Sequence, residues 1–409
     1  MKQLSWNGLR TVVELELKQR IRSRRWIWAL IGWFLVIGGV TTLIILAAAT
    51  IDPFGGDGWR RSGPLAFGII TLFVLGMGLV IAPTFTATSI NGDRNGGTLA
   101  IVQATRLSAL EIATGKLIAA WLTSAVFLVV ALPFIAWSMV LGSISLWQVV
   151  VCFLVVFVLV AVVCAIGLGW SALISRPAGS TALTYVAVVS LTILSTGVMG
   201  LLAVLSVQDE PVRVWGLSAA DTATYQNEVD QYWTENEDGD GSEAPAPPIG
   251  KCSWHQDTEQ VTHTERVWWV TVANPFVIVA DAAPLPPGSA ANLADYEQLG
   301  SDPLALIRLG VRSAAHPAQT ERDECIYLYS DSPAYRVEWD AAGNPKVTTT
   351  TGTPVNVETP VQQRVVNVET PVWPWGLGAN VALGAVFFWI AVRRLAIPYG
   401  TLPRGTRVA

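Results

Sequence analysis

The side chains of this 409-residue chain that could do chemistry are few and scattered. Thr114-Gly115-Lys116-Leu117 comes nearest to a phosphate loop, in which a glycine-rich backbone cradles phosphates and a lysine reaches them. It lacks Ser or Thr after the lysine, has Leu110 where the first glycine belongs, and follows no strand. ATP binding by that route is excluded. The histidines His255, His263 and His316 fall in one segment. His255 and His263 have Asp257, Glu259 and Glu265 nearby, but their eight-residue spacing matches no common metal pattern. Residues 236–241 open like a calcium loop, yet Pro247 stands at the twelfth position, where a bidentate Glu is required. No Ser/His/Asp or Cys/His set emerges for nucleophilic catalysis. The expectation is a chain with no catalytic residues, no metal and no cofactor of its own. Cys152 and Cys164 lie twelve residues apart, about 18 Å along a helix, and cannot bridge each other. Cys252 and Cys325 are the pair predicted to form a disulfide.

The elements that must position these residues are apolar. Hydrophobic residues make up 52% of the chain and charged ones 14%, well below the quarter or so typical of soluble domains. No Asp, Glu, Lys, Arg or His occurs in 26–51, 62–92, 117–175, 177–208 or 370–392. About 20 apolar residues cross a bilayer. Four of these gaps hold one span each, and the 59-residue gap holds two, turning at Gly142-Ser143-Ile144-Ser145. The first run is longer than the apolar core of a secretory signal and follows a charged segment, so it reads as a retained span. The predicted fold is an all-α polytopic membrane protein of six transmembrane helices, with a mixed α/β extracytoplasmic domain between the fifth and sixth. Its parts are a cytoplasmic amphipathic helix (1–25), five spans (26–206), the domain (207–371), the sixth span (372–392) and a cytoplasmic tail (393–409). No span carries an ionisable group, which argues against a proton- or ion-driven transporter.

Charge sets the predicted orientation. The two ends and the loops on their side hold fifteen basic against four acidic residues, a balance of +11, whereas 207–371 carries −16. Positive flanks mark the cytoplasm, so both termini are placed there. Trp6, Leu9, Val13, Leu17 and Ile21 recur at helical spacing and define an interfacial helix, whose basic cluster at 20–25 suits anionic headgroups. The cytoplasmic loop 91–116 opens with a polar, glycine-rich turn at 91–97 and continues into a short amphipathic helix at 98–107. Ser108 and Glu111 then form a capping box for the third span. In the 207–371 segment the acidic first third reads as loose, above all 235–248. The charge-free stretch 267–280 is too short for a span and reads as a re-entrant, interfacial or buried helix. Val-Asn-Val-Glu-Thr-Pro-Val occurs twice, at 355–361 and 366–372, and reads as two short strands.

The inner loop resembles that of permease subunits of ABC transporters, in the type-2 exporter class. The resemblance rests on Asp93-Arg94, Gly97-Thr98-Leu99, Thr105-x-Leu107-Ser108, Glu111-Ile112 and Gly115-Lys116 in this order, with Arg106 where proline is usual and Ala100 where an acid is common. It implies a permease that couples to separate ATPase subunits, which bind ATP and Mg, and that pairs with a second, identical or different permease subunit in the lipid bilayer. No nucleic acid is implied. Helix 98–107 would be the coupling helix, and Arg94, Thr98, Leu99, Arg106, Glu111 and Lys116 the ATPase contact. The competing expectation is a membrane-anchored envelope interaction or assembly protein that acts through its outer domain.

Overall fold

A computed structural model describes residues 5–21, 24–51, 58–99, 107–142, 144–235, 245, 248, 251–284, 302–318, 320–330, 335–339, 345–349, 353–355 and 370–396. Among these, six helices are long and apolar enough to cross a membrane. The protein is a helical polytopic membrane protein in its overall build, with a small sheet region. Helix α1 (Trp6–Ile21) precedes α2 (Arg24–Ile51) and α3 (Gly58–Thr86), and α3 is prolonged by α4 (Ser89–Asn95). Next come α5 (Ala109–Leu141), α6 (Leu146–Leu173) and α7 (Pro177–Leu205), the last containing a π-helical segment at Ser190–Leu194. The turn between α5 and α6 falls where the sequence placed it, with Ser145 capping Gln148 N at 3.1 Å.

The long helices share one apolar core that includes Ile37, Phe67, Ile70, Leu79, Ile135 and Leu159. Tryptophan N–H groups in this core use backbone carbonyls, as a buried indole must: Trp33 donates to Phe127 O and Trp121 to Phe157 O, each at 2.8 Å. Gly167 permits a close crossing, since a Cβ there would overlap Thr86.

The segment after α7 begins with β1 (Val207–Gly216) and α8 (Ala219–Glu235), so its first part is strand and helix rather than loose chain. Residues 236–244, including the start of the calcium-like loop, lie outside the described residues. Strand β2 (Ser253–Thr262) pairs antiparallel with β1 from Val207↔Thr262 to Gly216↔Ser253. Two helices follow, α9 (Trp269–Val272) and α10 (Pro275–Ala282), then α11 (Pro303–Ala314). Strand β3 (Glu321–Asp323) joins β1 in parallel and leads to α12 (Cys325–Ser330). A second sheet is formed by β4 (Tyr335–Trp339), β5 (Pro345–Thr349) and β6 (Pro354–Val355), in that order. The repeated Val-Asn-Val-Glu segments fall largely on 356–369, outside the described residues. Helix α13 (Trp373–Leu395) closes the described chain.

The charge-free stretch resolves as a buried element. In α10, Ile278, Val279 and Ala280 are fully buried and belong to the bundle core alongside Ala66, Cys152 and Leu304. The bundle therefore has two distinct ends. At one, the insert helices α10 and α11 pack against the long helices. At the other, Ile90, Leu99, Ile112, Leu168, Ala391 and Leu395 cluster, bringing the end of α13 to the start of α5. We call this second one the basic end, because Arg94, Lys116, Arg176, Arg393 and Arg394 lie on the elements that meet there.

Candidate functional site: the basic end of the bundle

The site is assembled from three stretches far apart in sequence. Helix α5 starts with the capping box: Ser108 Oγ accepts from Glu111 N at 3.2 Å, and Glu111 Oε2 accepts from Ser108 N at 2.6 Å. A carboxylate has acceptor capacity beyond one bond, and the second oxygen of Glu111 takes Ser5 N, also at 2.6 Å. The capping residue of span three thus also holds the entry to α1. One turn further, Gly115 gives α1 its seat: a Cβ there would meet Val12 Cβ at 2.8 Å. Gly8 is similarly close to Leu107 and Glu111. Small residues on both helices let α1 lie directly along the first turns of α5.

Lys116 completes the clamp. Its Nζ pairs with Glu16 at 2.6 Å and with Asp93 at 2.5 Å, and Glu16 also takes Arg20 at 3.3 Å. Two cations and two carboxylates from α1, α4 and α5 form one chain. With Lys116 only 5% exposed, the pairing offsets the cost of taking its charge out of water. Lys116 sits inside a helix and is doubly paired, which is the opposite of a phosphate-loop lysine.

The turn after span two starts later than the polar composition suggested. Asn91 through Asn95 remain helical, and the chain turns at Gly96-Gly97, where Gly97 has φ 71°, a conformation glycine adopts without a Cβ penalty. Thr98 and Leu99 are again helical, and Thr98 Oγ1 donates to Asp93 O at 3.2 Å. Asn91 is fully buried; its Nδ2 donates to Ser180 Oγ at 2.7 Å and Ile174 O at 3.1 Å. Ser171 Oγ accepts from Ile90 N at 2.9 Å. These bonds fasten the end of span two to spans four and five. The sequence places Asn91 in a polar, glycine-rich turn; the one signal against that is its position at the edge of a long apolar run.

The six residues expected at the ATPase contact divide. Thr98 is exposed and Arg94 half-buried, so both are open to a partner. Leu99 and Glu111 are each 3% exposed and Lys116 5%, so these three hold the platform together rather than presenting themselves. Arg106, with the rest of 100–106, lies outside the described residues.

The apolar row of α1 also departs from the expected picture. The helix meets α5 through Ser5, Gly8, Val12 and Glu16, one face over from Trp6, Leu9, Val13, Leu17 and Ile21. That apolar row, with Ile118 of α5, lines a groove of about 840 Å³ with Arg10, Glu14 and Lys18 at its edge.

At the insert end, Cys252 and Cys325 are joined in a disulfide with Cα atoms 6.5 Å apart. His263 is 6% exposed and its ring nitrogens face Glu265 at 2.7 Å and Glu210 at 3.1 Å. Carboxylates on opposite edges of one ring do not converge on an ion, and no metal-ligand cluster occurs among the described residues. Asp281, buried, accepts from Val372 N and Trp373 N at 2.7 Å each and pairs with Arg312 at 2.5 Å, fixing α10 to the start of α13. Asn274 caps α10 through Phe276 N at 2.9 Å and donates to Thr192 O in the π-helical segment at 2.8 Å. Burial raises the carboxyl pKa of Asp302 despite its capping bond to Leu304 N. Arg308 donates its Nε to Ala280 O at 3.3 Å. No protein-family model matches the chain, and no curated protein is significantly similar to it.

Proposed function

We propose that the chain is the membrane-spanning permease subunit of an ATP-driven ABC exporter. It forms the translocation path with a second permease subunit and is driven by separate ATPase subunits that carry ATP and Mg. In this reading both termini are cytoplasmic, in keeping with the positive residues of the basic end, and 207–371 is extracytoplasmic. The observation that carries it is the union of α1, the Gly96-Gly97 turn and the start of α5 through Glu111 and Lys116. A partner that pushes on the segment after Thr98 moves span three as a rigid body, because the buried Glu111 and Lys116 each hold two separate stretches of the chain at once. Arg94 and Thr98 present the contact surface; Leu99, Glu111 and Lys116 transmit the displacement.

The test is purification of the tagged chain from its membrane in mild detergent, with identification of bound proteins and an assay of ATP hydrolysis. An associated P-loop ATPase is expected, lost in Arg94→Glu/Thr98→Trp while the melting temperature of the chain stays put. A folded chain that retains no ATPase in several mild detergents would sink the permease reading and turn attention to partners of the insert.

A further inference from the structure

The groove beside α1 is built unlike the rest of the basic end. The apolar cluster at the centre of that end is covered: Ile90 is fully buried, and Leu99 and Ile112 are nearly so. On α1, Trp6 is 75% and Ile21 56% exposed, and with Leu9, Val13, Leu17 and Ile118 they wall a groove of about 840 Å³. Protein does not fill it, because the packing face of α1 is the adjacent one that seats Val12 on Gly115. The groove follows the helix from Trp6 to Ile21, a rise of about 22 Å at 1.5 Å per residue. Its edge is charged. Arg10 is exposed, and Lys18 pairs with Glu14 at 2.7 Å while remaining 72% exposed. The edge therefore carries two cations against one carboxylate, and four more arginines follow at 20–25.

A long apolar slot with a cationic rim, next to a helix that crosses a membrane, matches an amphiphile with an apolar tail and an anionic head. We infer that this groove binds one anionic phospholipid, its acyl chain along Leu9, Val13, Leu17 and Ile118 and its phosphate held by Arg10 and Lys18. This goes beyond a helix adsorbed at the interface: it is a site with a stoichiometry and a headgroup preference. It stands apart from the permease reading, since it depends on no ATPase. In the bound state Lys18 divides its donors between Glu14 and the phosphate, as an ammonium with three donors can. The lipid also covers Trp6 and Ile21, the two ends of the row that protein packing leaves exposed.

The test is native mass spectrometry of the full chain released from mild detergent. Phosphatidylglycerol and phosphatidylcholine with identical acyl chains are offered at equal concentration. One phosphatidylglycerol is expected to be retained per chain, roughly tenfold over phosphatidylcholine, whose choline cation offsets the phosphate charge that Arg10 and Lys18 attract. Arg10→Gln/Lys18→Gln alters exposed side chains only and should bring the ratio to about one. Leu17→Trp narrows the slot and should reduce retention of both lipids. Equal retention by the native chain, or a preference that survives the double glutamine variant, would overturn the site. So would displacement by about 10 mM inorganic phosphate, an ionic strength too low to screen a contact pair, which would indicate a free-anion site. A dimer that dissociates in Leu17→Trp would overturn it in favour of a second copy of the chain.

Discussion

Each end of the bundle is tied by one buried carboxylate that bridges distant backbone, and the two ties differ in what surrounds them. At the basic end Glu111 takes Ser5 N and Ser108 N, and the neighbouring Lys116 continues the contact as a chain of ion pairs through Glu16 to Arg20. At the insert end Asp281 takes Val372 N and Trp373 N and a single arginine. Around Asp281 the packing is closed, with Ile278, Ala280 and Leu304 at or near zero exposure. Around Glu111 it is open on one side, with an unfilled groove along α1 and Thr98 in solvent. The same chemical device thus serves a sealed joint in one place and a stiff but accessible platform in the other. The first holds the bundle shut; under the proposed function the second suits a surface that must receive a push without deforming.

The sharpest way to break this comparison is Asp281→Ala. It leaves the backbone N–H groups of Val372 and Trp373 without their acceptor and removes the carboxylate paired with Arg312, and should cost about 3–5 kcal/mol, read as a lower melting temperature of the whole chain. An unchanged melt would show that the insert end is not sealed by this tie. Next in size is Cys252→Ser/Cys325→Ser. The bridge closes a loop with a sequence separation of 73 residues, so its loss should destabilise the insert by roughly 2–4 kcal/mol. Limited proteolysis should then cut within 207–371 while the long helices stay intact. Cleavage spread over the whole chain would contradict a separately stapled insert.

Glu111→Ala should act more locally, at about 2 kcal/mol, freeing α1 to proteolysis at 5–21 with little change in the bundle's melt. Glu111→Gln, which keeps an acceptor oxygen, should fall between the two. Equal global effects of Asp281→Ala and Glu111→Ala would erase the distinction between sealed joint and platform. The smallest effect concerns Asp323, whose carboxyl pKa burial raises against the lowering by bonds from Ile326 N and Cys325 N. The folded state then holds its proton more tightly than the unfolded, so this group's contribution falls as pH climbs from about 4 through the folded pKa. Asp323→Asn keeps the capping oxygen and removes the titration. The native chain should lose more stability than the variant between pH 4 and 7, by a few tenths of a kcal/mol to about one. Parallel pH curves would refute the assignment.

The amino-acid sequence by itself determined the six long helices, the turn at Gly142 and the capping box at Ser108–Glu111. Each rests on neighbours within a turn or on the length of a charge-free run, both local properties that need no partner. It also marked α1 as amphipathic, but by its apolar row, and tertiary packing chose the adjacent face because Gly8 and Gly115 admit a closer approach than the larger side chains do. The ties were not legible. Ser5 and Glu111 lie 106 residues apart, Asp281 and Val372 91, and Asn91 and Ser180 89. No periodicity records such a pairing, since a carboxylate on a loop and a carboxylate under a helix have the same sequence signature. Only the folded arrangement decided that Glu111 and Lys116 hold the platform from within while Arg94 and Thr98 face outward. A buried charge must find its partner wherever the chain brings one.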